Sequence, residues 1–277
     1  MTPQLRRERI KRKTPLKATV NINMLLVRFF VYLHVFLFLS TPLYAHKPLE
    51  VATFFSPPYS YTDEGNNIQG INVEIFSMIA KEVGLEYNLH ILPWARALQG
   101  IKSGRYDILI SSYIIENDTE IEYSKEPIYE QNNIFLTLKS SPFFSYEDIQ
   151  HGTNLHVATH RQYQYGPLID ELLNKPNFIN RFISNNDEQL FTLLDQNRID
   201  LIPINHLVAR YYITKFKQSG RFREIKIPQE PTKHYIAYAK NKKLVETKEK
   251  IDLKLREYHK RNALEKLVEK WIEKFPI

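Results

Sequence analysis

The stretch Ile91–Ser112, ILPWARALQGIKSGRYDILISS, decides the fold. Trp94–Ser103 has the length and apolar spacing of a helix, and Gly104 is placed to end it. Tyr87–Ile91 before this helix and Asp107–Ile110 after it are short apolar runs of the kind that form strands. A strand, a helix and a strand in this order predict the repeating unit of an α/β fold.

The same alternation continues on both sides of that stretch. Leu49–Thr53 predicts a buried strand, and a helix capped by Asn72 and ended by Gly84 follows it. Downstream, the predicted elements are strand Asn133–Lys139, strand Leu155–Ala158, helix Gly166–Leu173, strand Phe178–Ile183, helix Asp187–Asp195, strand Asp200–Ile204, helix Val208–Phe216, strand Tyr235–Ala239 and two amphipathic C-terminal helices.

Two loop segments predict a division into two lobes. Ser-Ser-Pro after Lys139 is a plausible first crossing between lobes, and Pro228 and Pro231 mark the return. We therefore expect an α/β protein with lobe 1 at 46–139 plus 232–277, lobe 2 at 140–231, and two crossing strands between them.

The N-terminal segment predicts an export signal. Residues 1–45 hold eight Lys or Arg and one Glu, and the apolar run Phe29–Leu39 is followed by the small residue Ala45. This order is typical of a secretory signal peptide cleaved near Ala45, which places the mature protein in the periplasm. An uncleaved anchor is the alternative, and Met24 is an alternative start.

Composition excludes several classes of function. The chain has no cysteine, so disulfides, thiolate metal sites, Cys nucleophiles and lipid-modified cysteines are absent. Outside residues 1–45 the basic and acidic residues balance, which argues against nucleic-acid binding. No GxG, GxSxG or HExxH motif occurs, and His156 and His160 lie on a strand-to-loop segment that does not align them for a metal. We expect no cofactor, no metal site and no catalytic residue.

Seven segments carry a resemblance to a known family. They are LEVATFFSPPYSY (49–61), INVEIFSMIAKEVGL (71–85), ILPWARALQGIKSGRYDILISS (91–112), YSKEPIYE (123–130), RQYQYG (161–166), LLDQNRIDLIPIN (193–205) and LEKLVEKWI (264–272). In this order the chain resembles the bacterial extracellular solute-binding proteins of family 3. The PWAR and RQYQYG segments are similar to a subgroup that has RGYSYG in the second position, where this chain has Gln162 and Gln164.

The resemblance implies a type II periplasmic binding protein fold and a binding function. Such a protein is a monomer that captures a small polar, amino-acid-like ligand by lobe closure and delivers it to an ABC transporter permease. Two alternatives stay open at this point: a ligand sensor, and a periplasmic dehydratase-like enzyme on the same fold.

Ligand-binding residues are expected where loops follow the carboxyl ends of strands, because ligands bind there in open α/β sheets. Several of them have an equally ordinary structural role, such as core packing, a turn or a helix cap. The candidates are Tyr59, Trp94, Ser111, Ser112, Tyr113, Asn117, Arg161, Gln162, Tyr163 and Asn205.

The sequence departs from the family at both charged anchors. The resemblance implies an Arg for the ligand carboxylate and an Asp for its ammonium, but the matching positions are Asn117 and Asn205. Loss of a charge partner for a buried ion costs several kcal/mol. We therefore expect a neutral polar, aromatic or sugar-like ligand, or an anion held by Arg161 or Arg96.

Overall fold

The computed structural model describes residues 26–32, 47–176, 178 and 180–275. Residues 26–32 are helical, and the rest of the expected signal segment, with the cleavage position near Ala45, lies outside the described residues. None of the described helices is both long enough and apolar enough to cross a membrane. Lys47–Ile277 forms one unit, which carries every element named below.

The elements of this unit alternate as an α/β chain. In order they are β1 Leu49–Phe54, β2 Tyr61–Thr62, β3 Ile68–Gln69, α1 Ile71–Val83, β4 Tyr87–Leu92, α2 Trp94–Lys102, β5 Ile108–Ser112, β6 Ile121–Tyr123, β7 Tyr129–Gln131, β8 Asn133–Leu138, α3 Tyr146–His151, β9 His156–His160, α4 Pro167–Leu173, β10 Asn180–Ser184, α5 Asp187–Asp195, β11 Leu201–Asn205, α6 His206–Lys215, β12 Phe222–Lys226, β13 Thr232–Ala239, a 3-10 turn Lys240–Lys242, α7 Val245–Lys260 and α8 Ala263–Ile272.

Two sheets define two lobes. The lobe 1 sheet has the order β4-β1-β5-β13-β6, with β7 also paired to β13, and the lobe 2 sheet has the order β10-β9-β11-β8-β12. In lobe 1, β1 runs parallel to β4 and β5. In lobe 2, β9 runs parallel to β10 and β11. Strands from the crossings, β13 and β8, pair antiparallel to these sets. The predicted two-lobed α/β class is confirmed.

The first crossing lies earlier than predicted. The predicted strand Asn133–Lys139 was expected in lobe 1, but β8, which forms there, pairs with β11 and β12 of lobe 2 along its whole length. The chain therefore leaves lobe 1 between β7 and β8, at Asn132, and not at the Ser-Ser-Pro after Lys139. Apolar content alone does not say which sheet a strand joins, because a buried strand has the same composition in either lobe.

Helix starts show one success and one error. Asn186 caps α5 as predicted, since its side-chain oxygen accepts the backbone N–H of Glu188. Asn72 does not cap α1, because the cap position is Gly70, with φ 128°, and Asn72 is the buried second residue of the helix. A Cβ on Gly70 would lie 2.4 Å from the carbonyl oxygen of Tyr59, so only glycine fits.

Apolar side chains fill both faces of each sheet. In lobe 1, α1, α7 and α8 cover one face, with Ile75 and Ile251 in that core, and α2 covers the other with Ala97 and Ile101. In lobe 2, the core of one face contains Ile169 from α4. The packed helices hold the carboxyl ends of the parallel strands in fixed positions, and those ends carry the site.

Candidate functional site

A small cavity lies where the strand ends of the two lobes meet. Lobe 1 contributes the residues after β1 and the first residue of α2, and lobe 2 contributes the ends of β9 and β11, the loop after β9 and the start of α5. The lining residues are Phe54, Phe55, Ser56, Trp94, His160, Tyr163, Tyr165, Asp187, Pro203, Ile204, Asn205 and Val208.

The two lobes touch each other across this cavity. Trp94 Nε1 donates a hydrogen bond to the carbonyl oxygen of Gln162 at 2.9 Å, and the Tyr113 hydroxyl donates to the same oxygen at 3.3 Å. The Tyr163 ring lies edge-on to Trp94 and Tyr113, with centroids 6.4 and 6.2 Å away. The remaining space for water-sized molecules is about 20 Å³, about the room of one water. The cleft is closed on its own side chains.

Trp94 is held in the cleft from lobe 1. Pro93, in an extended conformation, is the cap of α2, so Trp94 is the first helical residue. Its ring is 1% exposed and packs against Phe54 and Tyr113 at centroid distances of 5.0 and 5.3 Å. Trp94 is thus both a core residue and a wall of the cavity, so the two roles considered from the sequence coexist.

Gln162 contributes its backbone to the cleft. It has a φ of 56°, a left-handed conformation that is uncommon for a residue with a side chain. This turn presents the carbonyl to Trp94 and Tyr113 while the residue itself is exposed. Tyr163, which follows, donates its hydroxyl to Gln131 Oε1 at 3.3 Å, next to the first crossing.

Ser111 and Ser112 were expected at the ligand, but neither lines the cavity. Both are fully buried in lobe 1. Ser111 has a φ of 65°, and its hydroxyl bonds to Tyr129 at 2.5 Å and to His234 Nδ1 at 3.0 Å. The Ser112 hydroxyl donates to the Tyr113 carbonyl. The left-handed turn at Ser111 directs its side chain into a buried network, which local sequence does not reveal.

That network continues through lobe 1 from Tyr129 to Thr53. The Tyr129 hydroxyl donates to Asn72 Oδ1 at 2.6 Å, and Asn72 Nδ2 donates to Ser60 Oγ at 3.1 Å. Ser60 in turn bonds to the Thr53 hydroxyl at 2.7 Å. Burial lowers the pKa of His234 to about 3, so this ring is neutral at physiological pH. The hydroxyl and amide groups of this network are thereby satisfied within lobe 1.

Asn117, Arg161 and Arg96 also differ from expectation. Asn117 is an exposed turn residue with a φ of 61° and lies outside the cavity. Arg161 is exposed, and its Nε donates to Asn185 Oδ1 at 3.1 Å on the outer side of lobe 2. Arg96 is exposed on α2 and does not line the cavity. Neither Arg lines the cavity of this closed cleft, and an anion site on either of them stays a prediction.

Asn205 and Tyr59 meet across the cleft. Asn205 lines the cavity and also caps α6, since its Oδ1 accepts the backbone N–H groups of Leu207 and Val208. Burial raises the pKa of Tyr59, and a hydrogen bond to Asn205 opposes that rise. The Tyr59 ring stacks on Tyr129 with centroids 5.1 Å apart. Asn205 thus has both roles proposed for it, a helix cap and a place at the cavity wall.

Sequence reasoning missed Asp187 and His160 as cavity residues. Asp187 is the first residue of α5 and His160 the last of β9, and both line the cavity. Burial raises the pKa of the Asp187 carboxyl, and the nearby His160 opposes the rise. The predicted helix Asp187–Asp195 made Asp187 a helix-start residue, and it was not among the ligand candidates. Asp187 follows a predicted strand and begins a predicted helix, and this position could have indicated a place at the cleft.

Comparisons with known proteins place this geometry in a family context. The sequence profile of the bacterial extracellular solute-binding proteins, family 3, matches residues 49–274. The arginine-binding extracellular protein ArtP of Bacillus subtilis is 26% identical over 220 residues, which is 77% of this chain and 81% of that protein. The L-cystine-binding protein TcyA of the same organism is 22% identical over 220 residues, 77% of this chain and 76% of TcyA.

Solved structures share the fold at lower sequence identity. An ancestral arginine-binding protein bound to arginine has a TM-score of 0.70 and 21% identity, covering 82% of this chain and 98% of that one. A histidine kinase sensor domain similar to periplasmic binding proteins also has a TM-score of 0.70, with 20% identity over 82% of this chain and 96% of that one. Because the family profile covers nearly all of residues 47–277 and the cleft lies between two α/β lobes, the chain belongs to the bacterial extracellular solute-binding proteins, family 3.

Proposed function

We propose that the chain is an exported receptor that captures a small polar, amino-acid-like solute by lobe closure and delivers it to the permease of an ABC importer. The observation that carries this proposal is the cavity lined from both lobes and closed by the hydrogen bond of Trp94 to Gln162. A solute held there contacts both lobes at once, so its binding energy favours the closed form.

The proposed ligand contacts come from both walls. From the sequence candidates they are Tyr59, Trp94, Tyr113, Gln162, Tyr163 and Asn205, to which the structure adds His160 and Asp187. Aromatic rings supply most of the surface, and a few polar groups fix orientation, as is common for small-molecule sites. We place the mature protein in the periplasm as a monomer that binds without turnover.

The relatives support an amino-acid-like solute in general terms. Proteins named for arginine and for cystine binding match more than three quarters of this chain. At identities of 26% and 22%, the cleft side chains can differ between these proteins and this chain. The solute of this chain therefore has to be inferred from its own cleft residues.

Thermal unfolding against a solute panel tests the proposal. The panel contains amino acids, amines and guanidines, sugars, and carboxylates, added to protein purified after expression of the full sequence. A ligand at 100 times its Kd adds about 2.7 kcal/mol, which raises the Tm of a protein this size by about 5–10 °C. A shift confined to one chemical class is expected, and no shift with any class contradicts a binding function.

Two further measurements separate import from its alternatives. NMR of the bound solute after long incubation with the protein should show it unchanged, whereas conversion would indicate an enzyme. The liganded protein should stimulate ATP hydrolysis by its reconstituted permease, whereas activation of a kinase or cyclase instead would indicate a sensor.

A further inference from the structure

The charge of the cavity wall is carried by one carboxylate. Among the residues that line the cavity, Asp187 and His160 are the titratable side chains other than tyrosine, and none is Lys or Arg. The wall therefore carries a net negative charge when His160 is neutral. Such a wall attracts a cationic group and repels an anionic one.

Asp187 differs from the other acidic residues around it in lacking a partner. Within residues 47–176, 178 and 180–275, its carboxylate makes no hydrogen bond and no ion pair shorter than 4 Å. By contrast, Glu188 pairs with Lys215 at 2.9 Å, and Asp200 accepts the His156 backbone N–H at 2.7 Å. Asp170 accepts the backbone N–H groups of Tyr165 and Gly166.

Aromatic rings surround this carboxylate. Tyr163 and Tyr165 line the same cavity, with ring centroids 5.0 Å apart, and Trp94 faces them from lobe 1. Burial raises the pKa values of Tyr163, Tyr165 and Tyr212, and the charge of Asp187 adds to each rise. Ring faces attract cations, most strongly where water is excluded.

From this arrangement we infer that the solute carries an ammonium or guanidinium group that pairs with Asp187 between the rings of Trp94, Tyr163 and Tyr165, and that it carries no carboxylate. The inference rests on the proposed function and narrows its solute class to organic cations. A carboxylate on the solute would be buried with no Lys or Arg on the described cavity wall to pair with it. The resemblance implied an Asp at position 205, where this chain has Asn205. This difference agrees with the inference, because the negative charge of the cavity wall lies at the start of α5, on Asp187, and not at the end of β11.

Binding requires the lobes to separate first. The closed cleft has room for about one water, so a solute enters only when the bond of Trp94 to Gln162 is broken. On closure the cation takes the place of solvent beside Asp187. Asp187 is half-buried in the closed cleft, and a carboxylate there without a partner is a cost to the empty closed form that a cationic solute removes.

Calorimetric titration with matched probes tests the inference. The probes are agmatine, putrescine and choline as cations without a carboxylate, arginine as the carboxylate-bearing counterpart of agmatine, and succinate as an anion. We expect at least one of the three cations to bind, arginine to bind at least about tenfold more weakly than agmatine if agmatine binds, and succinate not to bind.

Variants of one helix provide the control. Asp187→Asn should weaken cation binding at least about 30-fold, since removing one member of a buried charge pair costs at least about 2 kcal/mol. Glu188→Gln removes the same charge one residue away, outside the cavity, and should change affinity less than about threefold. Asp187→Glu keeps the charge and should restore part of the affinity. The Tm of each variant confirms that it folds.

The outcomes separate this inference from the proposed function. Equal cation affinity in wild type and Asp187→Asn would overturn the inference, as would tight binding of only neutral or anionic solutes from the wider panel. In both cases capture of a solute between the lobes would stand. If no solute of any class binds, the proposed function fails, and the inference fails with it.

Discussion

The lobe 1 wall and the lobe 2 wall of the cleft hold their polar groups in opposite ways. Behind the lobe 1 wall, the hydroxyls of Ser111 and Tyr129 and the His234 ring are buried and bonded to one another. In the lobe 2 wall, Asp187 has no such partner among the described residues, and the Gln162 carbonyl accepts hydrogen bonds from lobe 1 across the cleft.

This difference indicates that the two lobes have different roles in binding. Lobe 1 supplies an aromatic surface held by the network behind it, whose polar groups are satisfied before any solute arrives. Lobe 2 supplies the groups that still need a partner, and these give the site its preference for one kind of solute. Substitutions in the lobe 1 wall should therefore change stability, and substitutions in the lobe 2 wall should change affinity.

The largest effect is expected from Trp94→Ala. The ring is 1% exposed and packs on Phe54 and Tyr113, so its removal should lower the free energy of unfolding by about 3–5 kcal/mol. Denaturant unfolding measures this loss. Trp94→Phe keeps most of the packing and removes the bond to Gln162, so it should cost much less stability and shorten the lifetime of the bound solute. Equal losses in the two variants would contradict this account of Trp94.

The two walls can be compared by removing one tyrosine hydroxyl from each, with Tyr129→Phe in lobe 1 and Tyr163→Phe in lobe 2. Loss of the Tyr129 hydroxyl leaves Asn72 Oδ1 without its donor and removes one of the two partners of the Ser111 hydroxyl, which should cost about 1–3 kcal/mol of stability. The Tyr163 hydroxyl makes one hydrogen bond, of 3.3 Å, to Gln131, so its loss should cost less than about 1 kcal/mol. Chemical denaturation of both variants checks the order, and the reverse order would refute the division between walls.

His234 gives lobe 1 a pH dependence. Its pKa in the folded protein is about 3, below the usual 6.5, so the unfolded chain takes up the proton first as pH falls. The stability that the neutral ring provides is complete above about pH 6.5 and is lost toward pH 3, with a slope of up to about 1.4 kcal/mol per pH unit. Urea unfolding at pH 7 and pH 5 should show a smaller difference for His234→Gln than for wild type. An unchanged difference would contradict the burial of a neutral ring.

The smallest effect on stability is expected from Asp187→Asn in the absence of solute. The pKa of Asp187 is raised by burial, with His160 opposing, so the folded protein favours the protonated carboxyl and loses stability as pH rises through that range. A neutral amide should therefore raise the Tm of the solute-free protein slightly at pH 7, even though it removes a favourable charge from the start of α5. The difference between wild type and variant should disappear in acid. A lower Tm at pH 7 would mean that Asp187 has a stabilising partner.

Much of the fold was predictable from local patterns. The stretch Ile91–Ser112 forms the predicted strand, helix and strand, and Asn186 caps α5 as expected. The errors have a shared cause. The true positions of both segments depend on partners that are distant in the chain. The strand predicted at Asn133–Lys139 pairs with β11 and β12, and the Asn72 amide bonds to Tyr129.

The sequence predicted which loops reach the site better than it predicted which side chains line it. Trp94, Tyr163 and Asn205 line the cavity as the strand-end argument indicated. Ser111 and Asn117 do not line the cavity. Each adopts a left-handed backbone conformation, which the residue type alone does not predict. Asp187 was interpreted as a helix-start residue, and that assignment is correct for α5 but omits its second role at the cavity.

The sequence by itself determined the α/β class, the two-lobed order and the loops that reach the cleft, because periodicity, glycines and caps act over a few residues. Only the tertiary structure decided which side chains face the cleft, which are satisfied inside lobe 1, and that Asp187 has no partner in the part of the chain that the structure describes. Partnering depends on distances between residues far apart in the chain, such as Trp94 and Gln162 or Ser111 and His234, and these are fixed only when the helices pack and the lobes meet.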